Sequence, residues 1–370
     1  MDILKNINAI RRKLMRTITK SIGNGSAMPK PNQAFPPKIN KVLICRPNAR
    51  LGNLLLVTPL VSEITKTFPG CTIDLFVKGS LAPVLFRNHK NINRIIALPA
   101  KPFKNLLKYV MAWLSIRKQY YDMVINVDQN SASGRLSTQF ARGAFKFYGD
   151  ADDDLQLRYI DHGHIAKYPV YNFRNYLAGL GFAKSSRKIA TLNLKLSTEE
   201  ISIGKKALKN MVDQKTKTIC LFTFATGNKC YPEAWWLAFY NRLKQEYPDY
   251  NIIEVLPIHH ASQLGFRVPI FYSRDIRQIG ALIANTDVFI GADSGIMHLA
   301  AAVKTPTIGL FSVTNLNRYQ PYGNGSLGIN TNETTMNYWI LNLNRMLARK
   351  QISPAIRKKA KRKFGNIKYS

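Results

Sequence analysis

Short apolar runs alternate with amphipathic stretches along nearly the whole of this 370-residue chain. In the first half the apolar runs centre near Val42, Ile73, Ile95, Val124 and Phe145; in the second they centre near Leu192, Ile219, Ile252, Val288 and Ile308. Unbroken apolar runs of this length, without polar alternation, mark strands covered on both faces, as parallel sheets require. Between them lie helical stretches: Leu54 to Phe68 before Pro69-Gly70, Phe103 to Gln119, Gly134 to Arg142, and Tyr168 to Leu180 before Gly181. Strand and helix in alternation predict an α/β protein with parallel sheets. The length allows two separate cores. The polar run Lys184-Ser185-Ser186-Arg187-Lys188 is the expected linker, giving domains over 39–185 and 186–330, with a last helix from Met336 to Lys350 inside a terminal segment 331–370.

Three loops at strand ends carry polar chemistry. The strand Asp287-Val288-Phe289-Ile290 runs into Gly291-Ala292-Asp293-Ser294-Gly295-Ile296-Met297-His298, followed by the small-residue run Leu299 to Ala302. Asp293 and Ser294 are helix-capping types, and Gly295 permits close approach to the backbone. The first-turn N–H groups would face the carboxyl edge of a sheet, where phosphate is favoured, with His298 one turn further on. Upstream, Thr218 to Phe224 leads into Ala225-Thr226-Gly227-Asn228-Lys229-Cys230-Tyr231-Pro232. Pro232 near a helix start is well placed, and Lys229 offers a compact positive charge. Near the front, Lys41 to Cys45 leads into Arg46-Pro47-Asn48-Ala49-Arg50-Leu51-Gly52-Asn53. Each loop alone fits ordinary capping or a solvated lysine; their order on successive strand ends argues for a ligand. No G-x-G-x-x-G occurs, which speaks against a dinucleotide dehydrogenase.

Together these segments resemble glycosyltransferase family nine, the heptosyltransferases. The resemblance rests on Arg46…Gly52-Asn53…Thr58-Pro59, on Gly227…Lys229…Pro232, on Asp293-Ser294-Gly295…His298-Leu299-Ala300-Ala301-Ala302, and on Pro306, Leu310-Phe311 and Pro321-Tyr322-Gly323. It implies the GT-B fold, two Rossmann-like domains facing each other across a cleft, with the last helix crossing back to the first domain. It also implies an inverting, metal-independent transfer from a nucleotide-sugar, ADP-heptose by family analogy, to a lipopolysaccharide-core or similar glycan, with no resident cofactor. On this reading Thr226, Lys229, Asp293, Ser294, Gly295 and His298 bind the donor, and Arg46, Arg50 and Gly52 bind the acceptor.

Two departures stand out. The family's first loop carries an acidic residue as general base, where this chain has Asn53, and an amide accepts no proton at neutral pH. Asp128, at the end of the run Asp122 to Val127, is the substitute candidate for the catalytic role. Family members also often have a Glu soon after the position of Leu256-Pro257, whereas Ile258 to Gln263 contains no acid.

Charge adds a further layer, for 54 Lys and Arg against 21 Asp and Glu give a net charge of +33. Residues 1–20 put Ile3, Leu4, Ile7, Ile10, Leu14, Met15 and Ile18 on one helical face among lysines and arginines, and 21–38 read as a tether. This pattern suits a basic helix lying on an anionic membrane surface, as does the tail with Arg357-Lys358-Lys359 and Lys361-Arg362-Lys363. No apolar run is long enough to span a bilayer and no signal peptide is evident, so the expected location is cytoplasmic, peripheral on the inner face of the membrane. The four cysteines lack CxxC spacing and read as reduced structural thiols. The run Asp150, Asp152, Asp153, Asp154 reads as solvated acids. Two rival functions stay open: a binding protein that keeps the fold without catalysis, motivated by Asn53, and a basic nucleic-acid-binding protein. The second lacks any recognisable nucleic-acid motif, and no specific nucleic acid is expected.

Overall fold

The computed structural model describes residues 36–150, 153–213 and 215–351, together with Thr17, Thr19 and Ile22. The chain divides into two compact units, Met1–Lys195 and Leu196–Ser370.

The first unit is built on five parallel strands, β1 (Lys41–Arg46), β2 (Thr72–Lys78), β3 (Ile92–Leu98), β4 (Tyr120–Asn126) and β5 (Arg142–Phe147), in the order β3-β2-β1-β4-β5. Val42 lies opposite both Ile73 and Met123, which puts β1 at the centre with every ladder bond internal. Its crossovers are helical: α1 (Leu51–Leu55), α2 (Thr58–Thr67), α3 (Leu81–Leu85), α4 (Leu106–Lys118) and α5 (Ala132–Phe140), then α6 (Asp153–Arg158) and α7 (Tyr168–Gly179). The helix predicted from Leu54 to Phe68 is thus two helices. Pro59, in the first turn of α2, has no N–H to continue the α1 ladder, and the Thr58 hydroxyl donates to the Leu55 carbonyl at 2.7 Å across the break.

The second unit holds six parallel strands, β6 (Thr218–Phe222), β7 (Asn251–Val255), β8 (Ile270–Phe271), β9 (Val288–Ala292), β10 (Thr307–Phe311) and β11 (Leu327–Asn330), in the order β11-β10-β9-β6-β7-β8. Around them lie α8 (Thr198–Lys209), α9 (Glu233–Glu246), α10 (Ile276–Ile283), α11 (Gly295–Ala302), α12 (Leu316–Tyr319) and α13 (Met336–Gln351). β6, β9 and β10 are buried along their whole length, as their unbroken apolar runs predict. The short strands β8 and β11 are not evident in the sequence, because edge strands of two to four residues carry too little periodicity.

Two expectations are corrected here. The strand expected near Leu192 is an extended segment outside either sheet. It packs on the first unit: the Asn193 N–H donates to Thr58 Oγ1 at 3.1 Å, and the Asn88 amide donates to the Lys195 carbonyl at 2.7 Å. The division therefore falls ten residues beyond the expected 185/186 linker. The last helix places Trp339, Ile340, Leu343 and Met346 in the second unit's core, with Trp339 against Trp235 and Phe239 of α9.

Of the basic amphipathic segment expected over 1–20, only Thr17 and Thr19 are described. Thr19 is buried and its carbonyl accepts from Arg135 Nε at 3.1 Å. The basic tail after Gln351 lies outside the described residues. Among the described residues no helix is long and apolar enough to cross a membrane. Cys45, Cys71, Cys220 and Cys230 are all free thiols, and burial pushes the Cys45 thiol up to about 11.

Candidate active site

Each sheet contains a point where the connections reverse direction. β1 lies between β2 and β4, and β6 lies between β7 and β9. Loops leaving the carboxyl ends of the diverging neighbours open a crevice there. All three polar loops of the sequence fall on these two points.

In the second unit, β6 passes into a 3₁₀ turn over Gly227–Lys229, and Gly227 at φ 64 supplies the left-handed conformation the turn needs. That turn aims Lys229 across the switch point, where its Nζ lies 3.2 Å from Asp293 Oδ2 just beyond β9. The same oxygen accepts from the Thr314 hydroxyl at 2.6 Å, and the Asp293 N–H donates to the Leu310 carbonyl at 3.0 Å. Asp293 is therefore a buried post between a lysine and a threonine. Ser294, not Asp293, caps α11: its Oγ accepts from the Met297 N–H at 3.3 Å. The N–H groups at the start of the helix, at Gly295 and Ile296, have no carbonyl one turn earlier to bond, and both residues are only half-buried. A half-exposed ammonium thus stands beside a helix N-terminus, two groups that attract the same kind of anion. Thr226 is exposed on the turn, and His298 is buried on α11.

Asp293 had been expected to touch the diphosphate itself. In the structure its Oδ2 is taken up by Lys229 and Thr314. One of the three ammonium protons is held by Asp293, which fixes the side chain and leaves the others for an anion. Thr314 escaped the sequence reading; its signal was a hydroxyl residue just past a fully buried strand, on the same edge as Asp293.

The loop after β7 is organised by Glu254, wholly buried on that strand. One carboxylate oxygen accepts from the Thr223 hydroxyl and the other from Ser262 Oγ at 2.6 Å. Ser262 Oγ in turn accepts from the N–H groups of Leu264 at 3.0 Å and Phe266 at 3.3 Å, and the Gln263 N–H donates to Thr223 at 3.1 Å. Burial raises the Glu254 pKa, opposed by the two hydroxyls. The acid missing after Pro257 is not replaced by this one, since both its oxygens are engaged in shaping the loop.

In the first unit, Arg46 ends β1 with only 6% of its surface exposed, and its guanidinium donates to Asp128 Oδ2 at 2.8 Å. Asp128 Oδ1 accepts from the Asn130 N–H at 3.0 Å and from the Tyr168 hydroxyl at 3.3 Å. Asn126, buried at the end of β4, donates to the carbonyls of Asp128 at 2.8 Å and Tyr148 at 2.7 Å and so locks the loop. The front loop is folded by Asn48, whose side chain accepts from the Arg50 N–H at 2.9 Å. Arg50 is exposed at the N-cap position of α1, Gly52 is buried in its first turn and Asn53 is half-buried beside it. The two arginines expected to act alike therefore differ. Arg46 has one end of its fork already engaged, whereas Arg50 is open to solvent.

Comparison with known proteins points to one family. Residues 111–338 match the family described as glycosyltransferase family 9 (heptosyltransferase). Among curated proteins, the chain is 24% identical over 297 residues to lipopolysaccharide heptosyltransferase 1 of Campylobacter coli, covering 74% of this chain and 84% of that protein. It is also 24% identical over 336 residues to lipopolysaccharide heptosyltransferase 3 of Escherichia coli K12, covering 81% and 88%. Among solved structures, it is similar to a family 9 glycosyl transferase from Veillonella parvula, with a TM-score of 0.67, 15% identity and coverage of 85% and 99%. It is likewise similar to the E. coli heptosyltransferase WaaC with ADP, with a TM-score of 0.59, 16% identity and coverage of 83% and 99%.

Proposed function

The chain belongs to glycosyltransferase family 9 and is a glycosyltransferase with two Rossmann-like units of the GT-B kind; from that premise we propose that it moves a heptose from ADP-heptose to an anionic lipopolysaccharide-core glycan. The observation that carries the donor half is the Lys229–Asp293 pair beside the capped start of α11. In the transfer, an acceptor hydroxyl attacks the anomeric carbon, the bond from that carbon to the diphosphate oxygen breaks, and the nucleoside diphosphate leaves with the electron pair. Charge builds up on the leaving phosphate. Lys229 and the N–H groups of Gly295 and Ile296 stand ready to meet it without reorganising. Thr226 supplies a further hydroxyl, and His298 underpins the helix.

The acceptor half is assigned to Arg50, Gly52 and Asn53, with Arg46 behind them. The hydroxyl proton passes to solvent or to an oxygen of the departing diphosphate, since the amide of Asn53 cannot take it. Asp128 is a fixed carboxylate bonded to Arg46, so we assign it a positioning role through Arg46 and regard Asn53 as a residue that orients the acceptor. A lipid-carried acceptor also fits the inner-leaflet location suggested by the basic segment 1–20 and the basic tail. The similarity to proteins whose names specify lipopolysaccharide supports this substrate class.

Calorimetry with ADP-, GDP-, UDP- and TDP-sugars tests the donor assignment. Adenine-selective binding that is lost in both Lys229→Ala and Asp293→Ala is the expected result. Nucleotide binding that ignores both substitutions, or no binding by the folded protein, would overturn it. A non-catalytic role, which Asn53 keeps in view, would show as donor binding with no transfer to any glycan acceptor.

A further inference from the structure

Helix α4 of the first unit is apolar on both sides. Its inner side carries Ala112 and Ile116, with Tyr109 and Trp113, against the sheet residues Leu43, Phe76 and Val124. Its outer side, with the turn before it, carries Phe103, Leu106, Leu107, Val110, Met111 and Leu114, at the three- and four-residue spacing that makes one continuous ridge. All six are exposed, Phe103 to 94% and Leu107 to 75%. A helix that is apolar all round normally lies inside a protein or a membrane. Among the described residues this one has protein on one side only, and a ridge of large side chains on one face marks an interaction site.

The charge around the ridge identifies what it meets. Between Asp74 and Asp122 the chain has no acidic residue and nine Lys or Arg. Lys101, Lys104 and Lys108 flank the amino-terminal half of the ridge, and all three are exposed. Beside the carboxyl-terminal half lies a groove of about 630 Å³ whose lining includes Arg94, Met111, Leu114, Arg117, Lys118 and Arg142 and no acid. Asp74, whose carboxylate lies 3.9 Å from Arg94, is itself wholly buried. An apolar ridge flanked by cations is complementary to an anionic lipid surface, with acyl chains receiving the ridge and headgroup phosphates receiving the lysines.

We propose that the first unit docks on anionic membrane through this outer face of α4, lying flat on the bilayer. The proposal rests on the reading of a lipid-carried acceptor for its purpose, and on the exposed ridge and its cations for its evidence. It also adds to the placement. α4 follows β3 and begins at the carboxyl edge of the first sheet, the edge that carries Arg46, Arg50 and Asn53. Docking by this face brings the acceptor loops toward the surface that presents the acceptor.

Co-sedimentation of the full chain with vesicles tests this, comparing phosphatidylglycerol–phosphatidylethanolamine with phosphatidylcholine alone. Two variants are compared with the parent, Leu107→Glu/Met111→Glu and Lys104→Ala/Lys108→Ala. The parent is expected to bind the anionic vesicles and not the neutral ones. The lysine variant should lose about 30-fold in partition and the ridge variant at least as much. Both should keep the parent's thermal melting, since the altered side chains are exposed, and both should keep its ADP affinity. Vesicle binding unchanged in both variants would overturn the proposal and place attachment in the terminal basic segments. No binding by the parent would also overturn it. So would a concentration-dependent dimer that Leu107→Glu/Met111→Glu converts to monomer, because the ridge would then meet a second copy. Failure here leaves donor binding intact, whereas failure of the glycosyltransferase reading shows in calorimetry without vesicles.

Discussion

The two switch points solve the same problem with the same pair of charges and arrive at different sites. Each places a cation at or just beyond the end of the strand at the switch point and an aspartate on the loop after its neighbour, Arg46 with Asp128 in one unit and Lys229 with Asp293 in the other. In the first, the arginine side chain is 8% exposed and its aspartate also holds a tyrosine and a backbone N–H. In the second, the lysine side chain is 28% exposed and stands next to a capped eight-residue helix. The first pair is a closed structural joint with an open arginine, Arg50, beside it. The second is partly open to solvent beside a helix N-terminus, which is why we assign the anion to it. Burial, not residue type, separates the two.

Substitutions should divide along that line. The largest effect is expected from Asp128→Asn, which leaves the buried Arg46 without its counter-charge and should lower stability by about 3–5 kcal/mol in urea unfolding. A cost near that of a surface substitution would mean that the pair is not a joint at all. Next comes Lys229→Ala, predicted to weaken ADP roughly 10- to 100-fold by calorimetry, the range for losing a hydrogen bond to a charged group. The fold should survive, because the lysine is half in solvent.

A smaller contrast concerns acid. In the second unit, Arg277 donates to Glu200 and holds its carboxyl at about 2. A depressed carboxyl adds stability above its unfolded value, and that stability is lost as pH falls toward the folded value. Glu200→Gln should therefore flatten the loss of stability between about pH 5 and pH 2.5. Glu254 is raised, so its contribution runs the opposite way, declining as pH rises past the ordinary glutamate range, and Glu254→Gln should remove that decline. The smallest stability change is expected for Asp293→Asn, about 1 kcal/mol, because the amide still accepts from Thr314 and Lys229 can turn to water. Its ADP affinity should nevertheless fall, which separates receptor from joint. Finally, Asn53→Asp sharpens the comparison from the other side. If the acceptor site lacks only a base, turnover with a glycan acceptor should rise in this variant. Unchanged turnover would point to proton transfer by another route.

Much of this was legible in the chain. The strands β1, β6, β9 and β10 were readable because a strand covered on both faces has to be apolar nearly throughout, and β2 to β5 and β7 because a shorter apolar core survives between turn residues. The loops after β1, β6 and β9 were readable because glycine, proline and capping residues cluster where a strand turns into a helix. Thr314 and Glu254 were not, since each depends on a partner more than twenty residues away. The break between α1 and α2 was written in Thr58-Pro59 and passed over, for the apolar period continues across it.

By itself the sequence determined the fold class, the order of the elements, the family and the loops that carry chemistry, because periodicity, turn residues and motif spacing are local properties of a chain. Only the tertiary structure decided that Asp293 serves Lys229 and that Asp128 serves Arg46. It also decided that one arginine is closed while the other is open, and that the outer face of α4 is exposed among the described residues. Those outcomes depend on which strand ends become neighbours and how much water reaches them. Depth of burial sets the strength of a charge pair, and no pattern along the chain encodes that depth.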